Sequence, residues 1–423
     1  MFPSRTVVSL FFACCVAAYA QGMRPKDVRE LAKAGQAAIP KLQELLKSPD
    51  TEIRLEAVKQ IVEIGSQHSL DPLILATRDN DPEIQIRAVD GLVNFYLPGY
   101  VKRGLSASLQ RVGTSIKGRF TDTNDQVIDS YIKVRPDVIE ALGKMARGGS
   151  RMDVRANAAR ALGILRGRAA VPDLLEALRS KDTDVIYESL NALQKIHDDS
   201  AGPRLSFLLR DPNQKVQITA IETMGLLANK AATPDLIAVL NKSKDKKVQR
   251  AALTAIAMLP DNANRELYAR YMRDKDDRLR AAAAEGFARL QNPADMPMLQ
   301  KAWDEEKKTE PRLSVAFAMV MLGRVDLTEF SPLKYLVNTL NSSAYKGEAF
   351  PFLVEAARNP AVRVTLYQPM LTGTKEEKIQ LAGVMARSGD KASVPQLEKL
   401  SNDTDGDVAR EGLRAMRELQ ARL

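Results

Sequence analysis

Apolar residues recur along this chain in two alternating helical patterns. In one pattern, positions 0, 4, 5 and 8 are apolar, as in Ile53, Ala57, Val58 and Ile61, or Val216, Ala220, Ile221 and Met224. That spacing places all four residues on one face of a helix. The other pattern is a shorter run that starts beside a proline, as in Val171, Leu174, Leu175 and Leu178 after Pro172. A proline is tolerated in a helix's first turn because its missing N–H has no intrahelical partner there. An acidic or amide residue separates the short run from the long one: Asp50, Asp81, Asp182, Asn213, Asp245, Asp276 and Asp405. Each stands three residues before the first apolar residue of the long run, where its side chain accepts hydrogen bonds from the free N–H groups of the starting helix. Glycines near the end of the long runs, at Gly65, Gly163, Gly225, Gly323 and Gly389, predict left-handed C-caps.

The two patterns together repeat every 31 residues or so, and Pro172, Pro203 and Pro234 fall at equal spacing of 31. A period of this size predicts stacked supersecondary units, none of which buries its apolar faces alone. Here the unit is a helix pair, and the chain resembles HEAT repeats, especially the short bacterial HEAT-like repeats also found in phycobilisome lyases. The resemblance implies an all-α fold, a right-handed α-solenoid of stacked antiparallel helix pairs, with a role in protein binding and no common chemistry. About ten units stacked at roughly 10 Å per layer predict an arc about 100 Å long. The expected organisation is a leader over 1–20, a lead-in over 21–35, units over 36–98, an insertion over 99–134, well-formed units over 135–292, degenerate units over 293–390 and a capping unit over 391–423. Around 330–359 the period blurs, and helices are expected without a fixed register.

A long polar residue often follows the anchor of the second helix: Arg54, Gln85, Arg155, Gln217, Gln249, Arg280 and Gln380. It is placed to bond the turn Asp of a neighbouring unit and so form a ladder, which Ile186, Ser314 and Ala409 interrupt. Six residues past the anchor stands a row expected to face outward: Lys59, Asp90, Arg160, Asn191, Glu222, Thr254, Glu285 and Arg414. The row mixes signs and lacks aromatic rings, whereas a nucleic-acid binder wants a basic stripe with stacking platforms. The net charge of +9 is a modest excess that suits acidic partners without pointing to nucleic acid.

The first twenty residues predict an export signal. Arg5 supplies a positive start, Thr6 to Ala18 an apolar stretch too short to span a membrane, and Ala18-Tyr19-Ala20 a cleavage site before Gln21. The only two cysteines, Cys14 and Cys15, lie inside that leader, so the expected mature chain has no disulfide and no thiolate. Lipidation at Cys14 is the competing reading, weakened by Phe11 where an aliphatic residue is wanted. The expected location is periplasmic or secreted, with no transmembrane segment in the mature chain.

Candidate chemistry is sparse. His68 and His197 are the only histidines, they sit in different units, and neither has a partner at metal-ligand spacing. Deoxyhypusine hydroxylase, a HEAT-like enzyme, holds iron through His-Glu pairs; here the histidines precede Ser69 and Asp198. Trp303 is expected to pack in or beside the core. No catalytic residue, cofactor or metal is predicted. The departure from the repeat is the insertion, where Lys102, Arg103, Arg111, Lys117 and Arg119 stand without an acid, and Leu105, Leu109, Val112 and Ile116 share one helical face. It is a candidate docking arm for a protein or an anionic surface, and a solenoid cover on the simpler reading. Lys242, Lys246 and Lys247 form a second candidate contact on a basic turn. The expectation is an exported, non-enzymatic scaffold for an unidentified protein of the cell envelope. The alternatives are a lyase-type or accessory enzyme on a bound small molecule, and membrane-surface binding through the insertion.

Overall fold

The protein is seen in a computed structural model that describes residues 23–101 and 126–423. The predicted leader with Cys14 and Cys15 lies outside the described residues. So do Lys102, Arg103, Leu105, Leu109, Arg111, Val112, Ile116, Lys117 and Arg119 of the insertion. The described residues form α-helices, 3-10 turns and connections, with no strand among them. They divide into two compact units. One comprises the chain up to Ile128 with Ile132–Ala201; the other comprises Gly202–Leu423 with Asp129–Tyr131.

The first unit contains α1 (Pro25–Ala32), α2 (Ile39–Leu45), α3 (Thr51–Ile64), α4 (Leu70–Ala76), α5 (Pro82–Tyr96), α6 (Pro136–Gly148), α7 (Met152–Ile164), α8 (Val171–Ala177) and α9 (Thr183–Ile196). The second contains α10 (Gln214–Leu226), α11 (Thr233–Lys242), α12 (Lys246–Ala257), α13 (Arg265–Tyr271), α14 (Asp277–Leu290), α15 (Met296–Glu305) and α16 (Thr309–Met321). It continues through α17 (Pro332–Thr339), α18 (Lys346–Ala356), α19 (Pro360–Thr372), α20 (Lys375–Ser388), α21 (Val394–Ser401) and α22 (Gly406–Gln420). Within each unit, the second helix of a pair packs on its own first helix and on the second helices before and after it, as α12 does on α10, α11 and α14. This is the all-α solenoid of stacked helix pairs.

The local chemistry follows the sequence pattern closely at the helix starts. Asp50, Asp81, Asp182, Asn213, Asp245, Asp276 and Asp405 are all N-caps whose side chains accept from backbone N–H groups in the next turn. Prolines sit in the first turn of α2, α8, α11, α15 and α21. Ile53, Ala57, Val58 and Ile61 are fully buried, as are Val216, Ala220, Ile221 and Met224. One proline behaves differently: around Pro203 the backbone winds as a 3-10 helix over Asp199–Arg210.

The glycines correct the expectation of uniform C-caps. Gly65 and Gly323 do adopt positive φ. Gly163 and Gly225 instead lie inside α7 and α10, and Gly389 is extended. A Cβ on Gly163 would stand 2.8 Å from the Cα of Ala192, and one on Gly225 2.8 Å from the Cα of Ala255. These glycines are required where neighbouring second helices touch backbone to backbone. Left-handed turns after several long helices are taken by Arg166, His197, Ala228 and Gln291. His197 is thereby the C-cap of α9.

Two further regions differ from the repeat. The described part of the lead-in, 23–35, is largely helical: α1 packs on α3 with Val28 fully buried, and so covers the open side of the first pair. Around 330–359 the register is fixed by packing, with α18 seated between α16 and α20 as a second helix. Trp303 is buried, meets Tyr335 edge-on at 5.3 Å, and carries the Arg312 guanidinium over its ring at 4.1 Å.

Candidate functional site

The ladder of long polar residues is built differently from the expectation. All of these residues but Gln380, which donates to Glu376 on its own helix, first tie their helix to the carbonyls that end the preceding first helix. Arg54 donates to Ser48 O, Gln85 to Thr77 O, Gln217 to Leu209 O, Gln249 to Ser243 O and Arg280 to Asp274 O. The arginines are long enough to reach the next unit as well. Arg54 meets Asp79 at 2.8 Å and Arg280 meets Glu306 at 2.8 Å. Those carboxylates lie ahead of the helix starts, two residues before Asp81 and three before Thr309.

Part of the row six residues past each anchor also departs from the outward placement, while Glu222 keeps it. Arg160 and Asn191 are buried, and the Glu285 side chain is 14% exposed. Side-by-side second helices bring Arg160, Asn191 and Glu285 against neighbouring helices. In the first unit Asn157 donates to Asp90 at 3.1 Å, and Arg160 donates to Asn157 at 2.9 Å.

In the second unit the same face forms a groove of about 560 Å³ along α10, α12, α14, α16 and α18. Its apolar floor includes Ile218, Ala251, Met258, Ala281, Ala282 and Phe352. Its charges are five glutamates, Glu222, Glu285, Glu310, Glu348 and Glu355, against Lys247, Arg250, Arg278 and Arg289. At the centre, Arg289 donates to Glu355 at 2.9 Å and to Glu285 at 3.2 Å. Its guanidinium lies 5.5 Å from the Phe317 ring centroid, and Phe317 stacks on Phe352 at 4.6 Å. Burial opposes the charge of Arg289, and the two carboxylates more than offset it.

Three groove carboxyls are held above the ordinary carboxylate range. Burial pushes Glu285 up, with Arg289 and the Ser314 hydroxyl pulling the other way. Burial also pushes Glu348 up, helped by Glu310 and opposed by Arg278. Glu222 keeps a solvent-facing side chain, yet the protein around it displaces enough water to raise its carboxyl too. Clustered perturbed groups in a cleft mark a candidate site.

Of the sequence-predicted residues, Lys247 stands at this groove. Lys242 and Lys246 are exposed on the basic turn outside the groove lining. His68 lies in the 3-10 turn Gln67–Ser69, at the edge of a separate shallow cleft of the first unit with Asp71 and Arg135. No group of three or more potential metal ligands occurs among the described residues. The groove itself was missed in the sequence. Glu348, Phe352 and Glu355 fall in the stretch whose register blurs. The available signal was Glu285 with Arg289 one turn later, and Glu222 at the equivalent position two pairs earlier.

A family description of HEAT repeats matches residues 27–99, 139–206, 203–267 and 233–320. No curated protein sequence matches the chain. Among solved structures, the complex of CpcE and CpcF of phycocyanin lyase from Nostoc sp. PCC7120 is similar at 18% identity, covering 63% of this chain and 92% of that one, with a TM-score of 0.38. YibA of E. coli is similar at 17% identity, covering 70% and 95%, with a TM-score of 0.40. Importin beta is similar at 12% identity, covering 99% and 66%, with a TM-score of 0.37.

Proposed function

The chain belongs to the HEAT-repeat family, and from that membership we propose that it is an exported, non-enzymatic scaffold that holds a protein partner of the cell envelope. The observation that carries this reading is the groove on the second-helix face of the second unit, an open helix surface with an apolar floor and fixed charges. Solenoids expose such continuous faces because each pair is stabilised by its stacked neighbours, so the remaining face is available for contact. Export rests on the residues of the leader, with cleavage before Gln21. No helix among the described residues is long and apolar enough to cross a membrane.

A photo-crosslinking amino acid at Thr254, inside the groove, tests the reading in cells. The control position is Arg270, exposed on α13. A discrete protein adduct from position 254 and none from 270 supports the scaffold. The absence of an adduct at 254, or the same adducts from both positions, refutes it. Export is checked on the same material: the mature protein should begin at Gln21, and a lipid-modified Cys14 would replace that reading.

A further inference from the structure

We propose that the groove of the second unit docks a basic amphipathic segment of the partner, seating Lys or Arg side chains on Glu222 and Glu348. This rests on the reading of the groove as the protein-binding face. The argument is charge complementarity on a helix face that no other element of its unit covers.

The cations of the groove are mostly committed. Arg250 makes a two-pronged contact with Asp276, at 2.9 Å and 2.7 Å. Arg278 meets Glu310 at 3.3 Å. Arg289 is shared between Glu285 and Glu355 and neutralises one carboxylate of the two. The carboxylates of Glu222 and Glu348 have no ion-pair or hydrogen-bond partner among the described residues. Lys247, exposed at the rim, is the remaining cation. The groove therefore carries an excess of about two negative charges, counted by formal charge. It does so on a chain whose net charge is +9.

An anionic occupant, whether nucleic acid or lipid headgroup, meets repulsion here. A cationic one relieves two costs at once: the desolvation of Glu222, and at Glu348 the repulsion from Glu310 and Glu285 as well. The floor narrows the choice further. The small side chains of Ala251, Ala281 and Ala282 leave a shelf between the acidic positions, closed by Met258 and Phe352. Lys and Arg carry an aliphatic stem and a charged tip, which suits an apolar shelf ending in carboxylates. An apolar residue beside them on the same segment meets the Phe352 ring. A basic segment laid along the groove as a helix or an extended strand fits these demands.

The test uses the mature full-length protein and fluorescence anisotropy with labelled peptides. One peptide alternates Arg and Leu on one helical face, and its counterpart carries Glu in place of Arg. Spermine is the small-polycation competitor. The Arg/Leu peptide should bind, more weakly as salt rises, and the Glu/Leu peptide should not. The double variant Glu222→Gln, Glu348→Gln should bind the Arg/Leu peptide about tenfold more weakly, the size of two partly exposed charge contacts. Its melting temperature should be unchanged or slightly raised. Equal binding by wild type and variant, or equal binding of both peptides, overturns the proposal. Spermine bound as tightly as the peptide overturns the protein segment in favour of a small polycation. The two readings fail separately. If Thr254 crosslinks a protein in the wild type and the Arg/Leu peptide does not bind the wild type, the cationic occupant is wrong and the scaffold stands. If Thr254 gives no adduct, the groove is not the binding face.

Discussion

Replacing Arg289 with Met removes the one cation that two groove glutamates share while keeping most of the side-chain volume. Arg289 is 13% exposed, Glu285 14% and Glu355 26%. Removing one partner of a buried ion pair costs about 3–5 kcal/mol, because the remaining charge is left desolvated. The partial exposure of Glu355 places this case near the low end, about 3 kcal/mol, since water screens a half-open carboxylate. For a unit of this size, each kcal/mol lowers the melting temperature by about 2–4 °C, so the expected fall is about 6–12 °C. The loss also depends on pH. Without Arg289, burial holds the Glu285 carboxyl further above its ordinary value. A carboxyl whose proton is held more tightly in the folded state favours folding as pH falls. The deficit should therefore be largest at neutral pH. It should shrink as pH drops through the raised folded value toward the unfolded value of about 4.3. Thermal melts at several pH values measure this, and amide exchange over α14 and α18 localises it. A melting temperature within a degree of wild type, or a deficit of constant size from pH 7 to pH 5, would refute the reasoning.

Other consequences follow from the packing. Gly225→Ala puts a Cβ against the α12 backbone and should destabilise by about 1–3 kcal/mol through overpacking. Gly347→Ala, which meets nothing within 4 Å, should be neutral or stabilise by up to about 1 kcal/mol through helix propensity; urea titration of the pair checks the opposite signs. Asp276→Ala removes an N-cap and the partner of Arg250, and should cost about 1 kcal/mol or more at neutral pH. Burial raises the Asp276 carboxyl, but Arg250 and the backbone donors hold it below the ordinary range. The variant should therefore approach wild type as pH falls below about 3.9. Ala220→Pro should cost about 3 kcal/mol or more. Amide exchange should show lost protection in α10 and α12 while α20 and α22 keep theirs, because unit stability is nearest-neighbour.

The sequence by itself determined the units. Asp276 and its counterparts cap because a helix start leaves N–H groups unsatisfied wherever it occurs, and that need is local. Val216, Ala220, Ile221 and Met224 face the core because helical spacing alone puts them on one side. Proline tolerance in the first turn is local as well. Those signals repeat, so fold class and family were legible without coordinates.

What only the tertiary structure decided depends on contacts between helices. Gly65 and Gly225 stand alike near the ends of long runs, yet one turns the chain and the other admits a neighbouring backbone; the distance to Ala255 is not written near Gly225. The row through Arg160, Asn191 and Glu285 resembles a solvent-facing face in each helix taken alone. Within each unit these side chains become buried only when successive second helices lie side by side. The groove required still more, since Arg289 meets Glu355 sixty-six residues away, across a stretch whose period is blurred. Hydrophobic periodicity fixes which face of a helix is buried. It carries no information about which distant charges share the face left open, because that pairing is set by the stacking geometry of the whole unit.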